Sequence, residues 1–503
     1  IKYYVSALIV LIVLASCSLQ PDSITSLEGS WQFRLDPKNI GLESDWKTMD
    51  FEDRIDLPGT TDEAEYGFQT TDTAFGILSR SHEYVGAAWY SRTISIPDKW
   101  ENKEVILLLE RVLWESQVFV DGVFIGKQDG LGTPHRHNLG QLSVGDHKLS
   151  LRINNDMIHN IGDKGHAYGE YMQSIWNGVV GKIELQVRNT IHIKQIRTFP
   201  EPAYNRLRVE IHTKNPGGEE LNYLVKIREK ESGRIIHSLE HQTNLEVFEI
   251  SMAPENEVKA WSEFNPFMYE LVVKIISDKQ SDESVSSFGF ISIGKNQHHV
   301  LINNDPVFLR GNLDCIHFPL TGYPAMEVKE WKKIFEVYKD YGLNHVRFHS
   351  WCPPDAAFTA ADELGIYIQA EASVWIDWWM GTDMVARGRP EMDTKGYPQG
   401  IGRGDSDADA FIRAEMQRVI DCYGNHPSFI LFCIGNELGS SDFELMGEWI
   451  RQLKEYDPRR LYAASTARTI SPYCDYSATH NVPGIGGVRQ RMYNHNDWDY
   501  EDQ

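Results

Sequence analysis

The sequence has 503 residues, and its 72 acidic and 49 basic residues give a formal net charge of −23. This negative charge repels nucleic acid phosphates and anionic membrane surfaces, which argues against either as the main partner. Hydrophobic residues make up 41% of the chain and aromatic residues 11%, a composition that excludes a disordered protein. At roughly 150 residues per domain, the length predicts about three globular domains.

Residues 1–17 have the features of an export signal. Lys2 precedes a largely apolar run at 5–15, which is too short to cross a bilayer as a helix but suits a signal peptide. The following residues, Ser16 and Cys17, complete a Leu-Ala-Ser-Cys sequence that resembles a bacterial lipobox. The resemblance implies lipidation at Cys17 and an exported lipoprotein that is periplasmic or anchored to the outer membrane. The alternative is a buried core segment.

Residues 26–189 are predicted to form a β-sandwich. Polar and apolar residues alternate over Trp89–Ile96, as they do in a half-buried strand. Asp121 and Gly122 separate two runs rich in β-forming residues, which indicates a hairpin with a two-residue turn. Short strands of this kind bury their apolar sides when two sheets pack face to face, so a jelly-roll-like sandwich is expected.

Residues 190–293 are predicted to form a second β domain. Seven short strand-like segments follow one another in about a hundred residues, which suits an immunoglobulin-like β-sandwich. The pattern of Cys, Trp and Cys that marks true immunoglobulin domains is missing from this segment. Only the architecture is therefore predicted.

After Ile293, strand-like and helix-like segments alternate. The predicted helices span 326–341, 354–364, 408–423 and 443–456. The predicted strands span 306–311, 345–349, 366–370, 429–434, 461–465 and 476–479. This alternation is typical of a (β/α)8 TIM barrel, of which residues 294–503 would supply about six strands. A barrel without two of its eight strands has open edges, so we expect the chain to be a C-terminally truncated piece of a longer protein.

Asn436 and Glu437 follow the predicted fourth barrel strand at 429–434. Functional groups in TIM barrels lie at the carboxyl ends of the strands, so both side chains are expected to face a pocket there. A carboxyl group directly after an apolar strand is partly desolvated, which suits it to proton donation. The alternative is a carboxylate that stabilises the start of the next helix. Because Asn-Glu is a common dipeptide, the two residues alone favour this alternative.

The order of the three domains, with Gly-Asn-Glu at the fourth barrel strand, resembles glycoside hydrolase family 2. That family contains β-galactosidases, β-glucuronidases and β-mannosidases, and the resemblance extends from about residue 26 over nearly the whole chain. Its supporting motifs are Trp89–Arg92, Trp176–Leu185, Phe308–Asn312, Asn344–Arg347 and Asp362–Tyr367.

The resemblance implies retaining hydrolysis of a β-linked sugar, in which two carboxyl groups lie about 5–5.5 Å apart. Glu437 would be the general acid/base, and Asn436 would bind the sugar 2-hydroxyl. Arg347 would stabilise the nucleophile electrostatically, with a plain salt bridge across the barrel top as the alternative. The nucleophile of the family is a glutamate of the seventh strand, which we expect beyond Gln503. The chain alone is accordingly expected to be inactive.

Further residues near the strand ends are expected to complete a sugar pocket. The predicted substrate-binding residues, besides Asn436, are Arg347, His349, Trp351, Asp314, His317, Glu371 and His480. The predicted stacking faces for the sugar are Trp351, Trp375, Trp378 and Trp379. Each of these side chains has a structural role as its alternative.

The sequence departs from the β-galactosidase pattern at Trp375–Asp377, where some members of the family have a magnesium-binding Glu-x-His. A hard cation needs several oxygen ligands and tryptophan offers none, so we expect no metal and no cofactor. The leading hypothesis is an exo-β-glycosidase that acts on oligosaccharides and resembles the β-galactosidases. β-Glucuronidase and β-mannosidase activities are the alternatives for its substrate. The alternative is a non-catalytic carbohydrate-binding protein on a degenerate barrel. The oligomeric state is also undecided, with a homo-oligomer as one alternative.

Overall fold

The computed structural model describes residues 23–70, 78–162, 164–169, 175–277, 280–376, 400–438, 441–466 and 472–476. Four of the predicted site residues lie outside these ranges: Cys17, Trp378, Trp379 and His480. The predicted export signal and nearly all of the predicted strand at 476–479 also lie outside them. Within the described part of the chain, no helix is long and apolar enough to cross a membrane.

The N-terminal region is a β-sandwich, as predicted. Its strands are β1 Ile24–Ser26, β2 Gly29–Asp36, β3 Asp53–Leu57, β4 Gly59–Thr60, β5 Phe68–Gln69, β6 His82–Glu83, β7 Ala87–Ile96, β8 Glu104–Arg111, β9 Trp114–Val120, β10 Val123–Gly130, β11 His135–Gly140, β12 Gly145–Asn154 and β13 Gly178–Arg188. One sheet has the order β10-β9-β12-β7-β2-β3, and the other has the order β1-β13-β8-β11 with β4 beside β13. Asp121 and Gly122 form the predicted turn between β9 and β10, both with positive φ.

The second domain is an immunoglobulin-like sandwich of seven strands. They are β14 His192–Glu201, β15 Arg206–Lys214, β16 Leu221–Glu229, β17 Ile235–Thr243, β18 Val247–Met252, β19 Tyr269–Ile276 and β20 Ser281–Phe288. The sheets have the orders β14-β15-β18 and β17-β16-β19-β20. Alternate residues of β15 and β16 are buried, because successive side chains of a strand point to opposite faces.

A small antiparallel sheet precedes the barrel, and here the structure differs from the predicted strand at 306–311. The sheet contains β21 Ile293–Lys295, β22 Val300–Ile302 and β23 Asp305–Val307. Asn303 and Asn304 have φ values of 53° and 70°, a conformation that turns the chain back on itself between β22 and β23. The first parallel strand therefore begins only at Gly311.

The third domain contains five parallel strands in the order β24-β25-β26-β27-β28 within the described ranges. They are β24 Gly311–Asp314, β25 His345–Phe348, β26 Tyr367–Glu371, β27 Phe429–Asn436 and β28 Leu461–Thr466. The helices are α1 Val328–Asp340, α2 Asp355–Leu364, α3 Ser406–Tyr423 and α4 Phe443–Tyr456. This sheet with helices between its strands is part of the predicted TIM barrel. Every residue of β27 is buried, as expected for an interior parallel strand.

The N-terminal sandwich and the barrel share one apolar core. Trp114 and Tyr168 of the sandwich pack in the same cluster as Phe411 of α3. Glu415, also in α3, accepts hydrogen bonds from the backbone N–H groups of Leu131 and the following glycine, both at 3.2 Å. The segment between β12 and β13 also reaches the carboxyl end of β25, where the backbone N–H of His166 donates to Ser350 Oγ at 3.0 Å.

Candidate active site

The carboxyl ends of the five parallel strands carry a cluster of polar side chains. Parallel strands place these ends at one edge of the sheet, so residues distant in sequence meet there. The cluster consists of Asp314 of β24, Arg347 of β25, Glu371 of β26, Asn436 of β27 and Thr466 of β28. Four of these five residues were predicted as site residues. Thr466 was not, because the apolar pattern of its strand gives no sign of its role.

Arg347 is the centre of a hydrogen-bond network at this edge. Its Nε donates to Glu371 Oε1 at 2.6 Å. Its Nη2 donates to Asn436 Oδ1 at 2.9 Å and to Thr466 Oγ1 at 2.7 Å. Arg347 thus forms the salt bridge that was one of its two predicted roles, and it also orients the amide of Asn436.

Glu371 is completely buried and both of its carboxylate oxygens are engaged. Besides Arg347, Gln369 donates to Oε1 at 3.0 Å and the backbone N–H of Ser350 donates to Oε2 at 2.7 Å. Burial by itself raises the pKa of Glu371, but the charge and hydrogen bonds of Arg347 lower it below its ordinary value. The side chain is therefore an anion that holds Arg347 in position.

Asn436 and Glu437 lie side by side where β27 ends. Asn436 Oδ1 accepts a second hydrogen bond, from Thr466 Oγ1 at 2.7 Å, so the orientation of its amide is determined. Glu437 is half-buried, and its backbone N–H donates to the carbonyl of Thr466 at 3.0 Å. Its φ is 47°, in the left-handed region, so the chain turns sharply out of the strand at this residue.

A side chain at Gly435 would collide with the backbone carbonyl of Val374. The glycine thereby permits a close approach between β27 and the loop after β26. The backbone N–H of Asn436 donates to the same carbonyl at 3.0 Å. This contact brings the loop residues Ser373 and Trp375 next to Asn436.

The loop after β25 is tied to the end of β24. The backbone carbonyl of Asp314 accepts hydrogen bonds from the N–H of His349 at 2.9 Å and from Trp351 Nε1 at 3.1 Å. Trp351 is buried against Phe348 and Trp331. Its ring therefore packs in the core and does not offer the predicted stacking face to a sugar.

Asp314 and His317 lie together at the rim. Burial raises the pKa of Asp314 to about 6, opposed by a hydrogen bond from the N–H of Ile316 and by the nearby His317. That hydrogen bond measures 2.8 Å, and the side chain of His317 is exposed. Both residues were predicted to contribute to a sugar pocket, and that role stays a prediction.

His166 comes from the β-sandwich and was missed by sequence reasoning. Its ring stacks on His349 with 4.4 Å between centroids, and its backbone N–H donates to Ser350 Oγ at 3.0 Å. Trp375 packs edge-on against His349 at 5.0 Å. No local sequence pattern marks His166, because its place in the site depends on how the two domains pack. It lies about 180 residues before the barrel loops that it contacts. Among the described residues, no group of three or more His, Cys, Asp or Glu side chains could hold a metal ion.

Comparison with protein families finds three matches along the chain. The sugar binding domain of glycosyl hydrolases family 2 matches residues 24–156, and a second model, described as glycosyl hydrolases family 2, matches residues 191–290. The TIM barrel domain of the same family matches residues 293–486.

Two similar proteins have names that indicate glycosidases. A beta-galactosidase of Thermoanaerobacterium thermosulfurigenes is 23% identical over 450 residues, which cover 87% of this chain and 57% of the relative. A putative beta-glucuronidase of Formosa agariphila is 24% identical over 390 residues, which cover 75% of this chain and 34% of the relative. This chain thus spans little more than half the length of the first relative and a third of the second.

A solved structure has the same fold. The b-glucuronidase from Ruminococcus gnavus, in complex with uronic isofagomine, superposes with a TM-score of 0.73 at 18% sequence identity. The match covers 91% of this chain and 77% of that one.

Proposed function

Because the chain belongs to glycoside hydrolase family 2, we propose that the full-length protein hydrolyses terminal β-linked sugars with retention of configuration. In this reaction a second carboxylate of the full-length protein attacks the anomeric carbon while Glu437, as general acid, protonates the departing glycosidic oxygen. Glu437 then acts as general base for the water that hydrolyses the resulting glycosyl-enzyme. The proposal depends on one observation above all. Glu437 turns out of the end of β27 directly beside Asn436, whose amide is fixed by two hydrogen bonds.

The surroundings of Glu437 suit proton transfer. The side chain is half-buried, so it can reach a substrate while part of its hydration is removed. Glu371, the glutamate at the end of the neighbouring strand β26, has one carboxylate oxygen bonded to Arg347 and the other to the backbone of Ser350. Because Glu437 is half-buried and Glu371 is completely buried, Glu437 is the better candidate of the two for exchanging protons with substrate.

Asn436 and Arg347 support binding and electrostatics. The hydrogen bonds that Arg347 and Thr466 donate to Asn436 Oδ1 leave its Nδ2 as the end of the amide that can bind a sugar hydroxyl. A hydrogen bond of this kind to the 2-hydroxyl strengthens in an oxocarbenium-like transition state.

The acid/base role is tested with Glu437→Ala in the full-length protein. Only a poor leaving group needs a proton, so hydrolysis of phenyl glycosides should fall by about 100-fold or more. Hydrolysis of dinitrophenyl glycosides should fall much less at the glycosylation step. The measurement is kcat/KM for both substrate types.

Glu444→Ala is the matched control, since Glu444 is an exposed glutamate on α4 only seven residues further along the chain. It should leave both rates unchanged. Equal losses on both substrates in Glu437→Ala would contradict the acid role. A wild-type protein that binds sugars and hydrolyses no β-glycoside would be a carbohydrate-binding protein instead.

The substrate is proposed to be a β-galactoside or a β-glucuronide, on the names of the similar proteins. The full-length protein should be assayed with aryl β-galactosides, β-glucuronides and β-mannosides under identical conditions. One of the first two sugars should be cleaved fastest. A clear preference for the mannoside would overturn this assignment.

We further propose that the protein is exported and lipid-anchored through Cys17. The support is the lipobox-like Leu-Ala-Ser-Cys after a short apolar run. Metabolic labelling with a fatty acid should mark the wild-type protein and leave Cys17→Ser unlabelled. Equal labelling of both would contradict the proposal.

A further inference from the structure

Four buried side-chain atoms near the site have no hydrogen-bond partner in the portion of the chain that the structure describes. They are His166 Nδ1, Ser373 Oγ, Trp375 Nε1 and Asn436 Nδ2. Buried polar groups are nearly always paired in native proteins, so several unpaired ones in one place point to a ligand.

These atoms belong to one continuous cluster. The His166 ring stacks on His349, and the His349 ring packs against Trp375 at 5.0 Å. Ser373 and Trp375 flank Val374, whose carbonyl accepts the 3.0 Å hydrogen bond from the backbone of Asn436. The cluster thus extends from the residue beside Glu437 to the β-sandwich domain.

Two of the four atoms are hydrogen-bond donors. Trp375 Nε1 can only donate. Asn436 Nδ2 also donates, because Oδ1 of the same amide already accepts from Arg347 and Thr466. The hydroxyl of Ser373 can both donate and accept.

His166 Nδ1, unlike these donors, is a hydrogen-bond acceptor. The His166 ring forms a hydrogen bond with the backbone of His349, and since Nδ1 has no partner, Nε2 donates this bond. Burial, together with the neighbouring His349, lowers the pKa of His166 to about 3. The ring is therefore neutral, and a neutral imidazole that donates through Nε2 accepts through Nδ1.

We propose that His166 is a substrate-binding residue whose Nδ1 accepts a hydrogen bond from a hydroxyl of the sugar, an inference that rests on the proposed function. A sugar hydroxyl donates one hydrogen bond and accepts others, so it matches an acceptor at His166 placed among the donors of Trp375 and Asn436. A methyl ether, sulfate or carboxylate at that position has no proton to donate and is disfavoured. His166 thereby selects an unsubstituted hydroxyl, and the β-sandwich takes part in recognising the substrate.

The test uses the full-length protein, the preferred aryl glycoside and its 3-, 4- and 6-deoxy analogues. His166→Phe keeps an aromatic ring on His349 but removes the acceptor, so kcat/KM for the parent glycoside should fall about 10-fold. For the analogue that lacks the bound hydroxyl, wild type and His166→Phe should have equal kcat/KM. His166→Asn, whose Oδ1 can occupy the position of Nδ1, should recover most of the rate.

His298→Phe is the control, since His298 is an exposed histidine between β21 and β22. It should behave as wild type on every substrate. An equal loss for His166→Phe on the parent and on all analogues would overturn the proposal in favour of a structural role. No loss on any substrate would also overturn it. If His166→Phe does not fold, the comparison of His166→Asn with His166→Gln decides, because only Asn places an acceptor near Nδ1.

Calorimetric titration with the free monosaccharide separates this inference from the proposed function. A roughly 10-fold weaker Kd for His166→Phe supports the contact even if the wild type proves catalytically inactive, a result that would overturn only the hydrolase. An unchanged Kd overturns the role of His166 even if hydrolysis is observed.

Discussion

The ends of β24 and β26 carry a half-buried and a completely buried carboxyl group, Asp314 and Glu371, whose pKa values move in opposite directions. Burial raises the pKa of Asp314 to about 6, whereas Glu371, which is more deeply buried, has a pKa below its ordinary value. The difference is Arg347, which lies 2.6 Å from Glu371 and forms no hydrogen bond with Asp314 in the described structure. Pairing therefore decides the charge of a carboxyl group at this edge, and burial alone does not.

The consequence for the site is a division of roles. Glu371 is charged at neutral pH, and it holds the guanidinium that orients Asn436. Burial raises the pKa of Asp314 to about 6, so this carboxyl group titrates in mildly acidic solution. Neither group duplicates Glu437, which has the half-buried position and the turn out of the strand that suit contact with a substrate.

Glu371→Gln should have the largest effect on stability. The substitution keeps the volume of the side chain but leaves the charge of Arg347 buried without its counter-ion. Breaking a buried pair in this way costs roughly 3–5 kcal/mol of unfolding free energy. The measurement is urea-induced unfolding of the full-length protein at pH 7, and a midpoint equal to that of wild type would contradict the structural role.

The difference in stability between wild type and Glu371→Gln should disappear in acid. Because the pKa of Glu371 is lowered from 4.5 in the folded state, its stabilising contribution is present above that value. The contribution disappears as the pH falls through the lower, folded pKa. The unfolding midpoints of wild type and Glu371→Gln should therefore converge below pH 4.5, and a constant difference would show that charge is not the cause.

Asp314→Asn should have a smaller effect of opposite sign. Between pH 3.8 and about 6 the folded protein retains a proton on Asp314 that the unfolded chain has released, so wild-type stability falls as the pH rises. Asparagine keeps an oxygen for the N–H of Ile316 and removes this penalty. The variant should be more stable by on the order of 1 kcal/mol at pH 7, since Asp314 is only half-buried, and equal to wild type at pH 3. A difference that does not change with pH would contradict the pKa shift.

Much of the fold was predictable because its determinants are local. The strands of the immunoglobulin-like domain follow from alternating burial, and Gly365 ends α2 in the left-handed conformation expected of a helix stop. The misplaced strand at 306–311 shows the limit of this reasoning. Two positive φ values at Asn303 and Asn304 create a hairpin that shifts the first barrel strand towards Gly311.

The site was predictable in part. Arg347, Asn436 and Glu437 lie at the carboxyl ends of apolar strands, and TIM barrels bring such ends to one edge of the sheet. His166 and Thr466 were missed, because their roles depend on which domain surface and which neighbouring strand pack beside Asn436. Such contacts are made between segments far apart in sequence, and no local pattern encodes them.

The smallest predicted effect concerns the backbone at Glu437, where the division of roles can be tested without a substrate. At a φ of 47° a side chain with a Cβ atom is strained, while glycine adopts this conformation freely. Glu437→Gly should therefore be more stable to urea than Glu437→Ala by about 1 kcal/mol, although both variants lack the carboxyl group. The comparison between the two variants cancels whatever the carboxylate contributes. If alanine proves as stable as glycine, residue 437 is not held in the left-handed region, and the turn that directs the carboxylate out of β27 is absent.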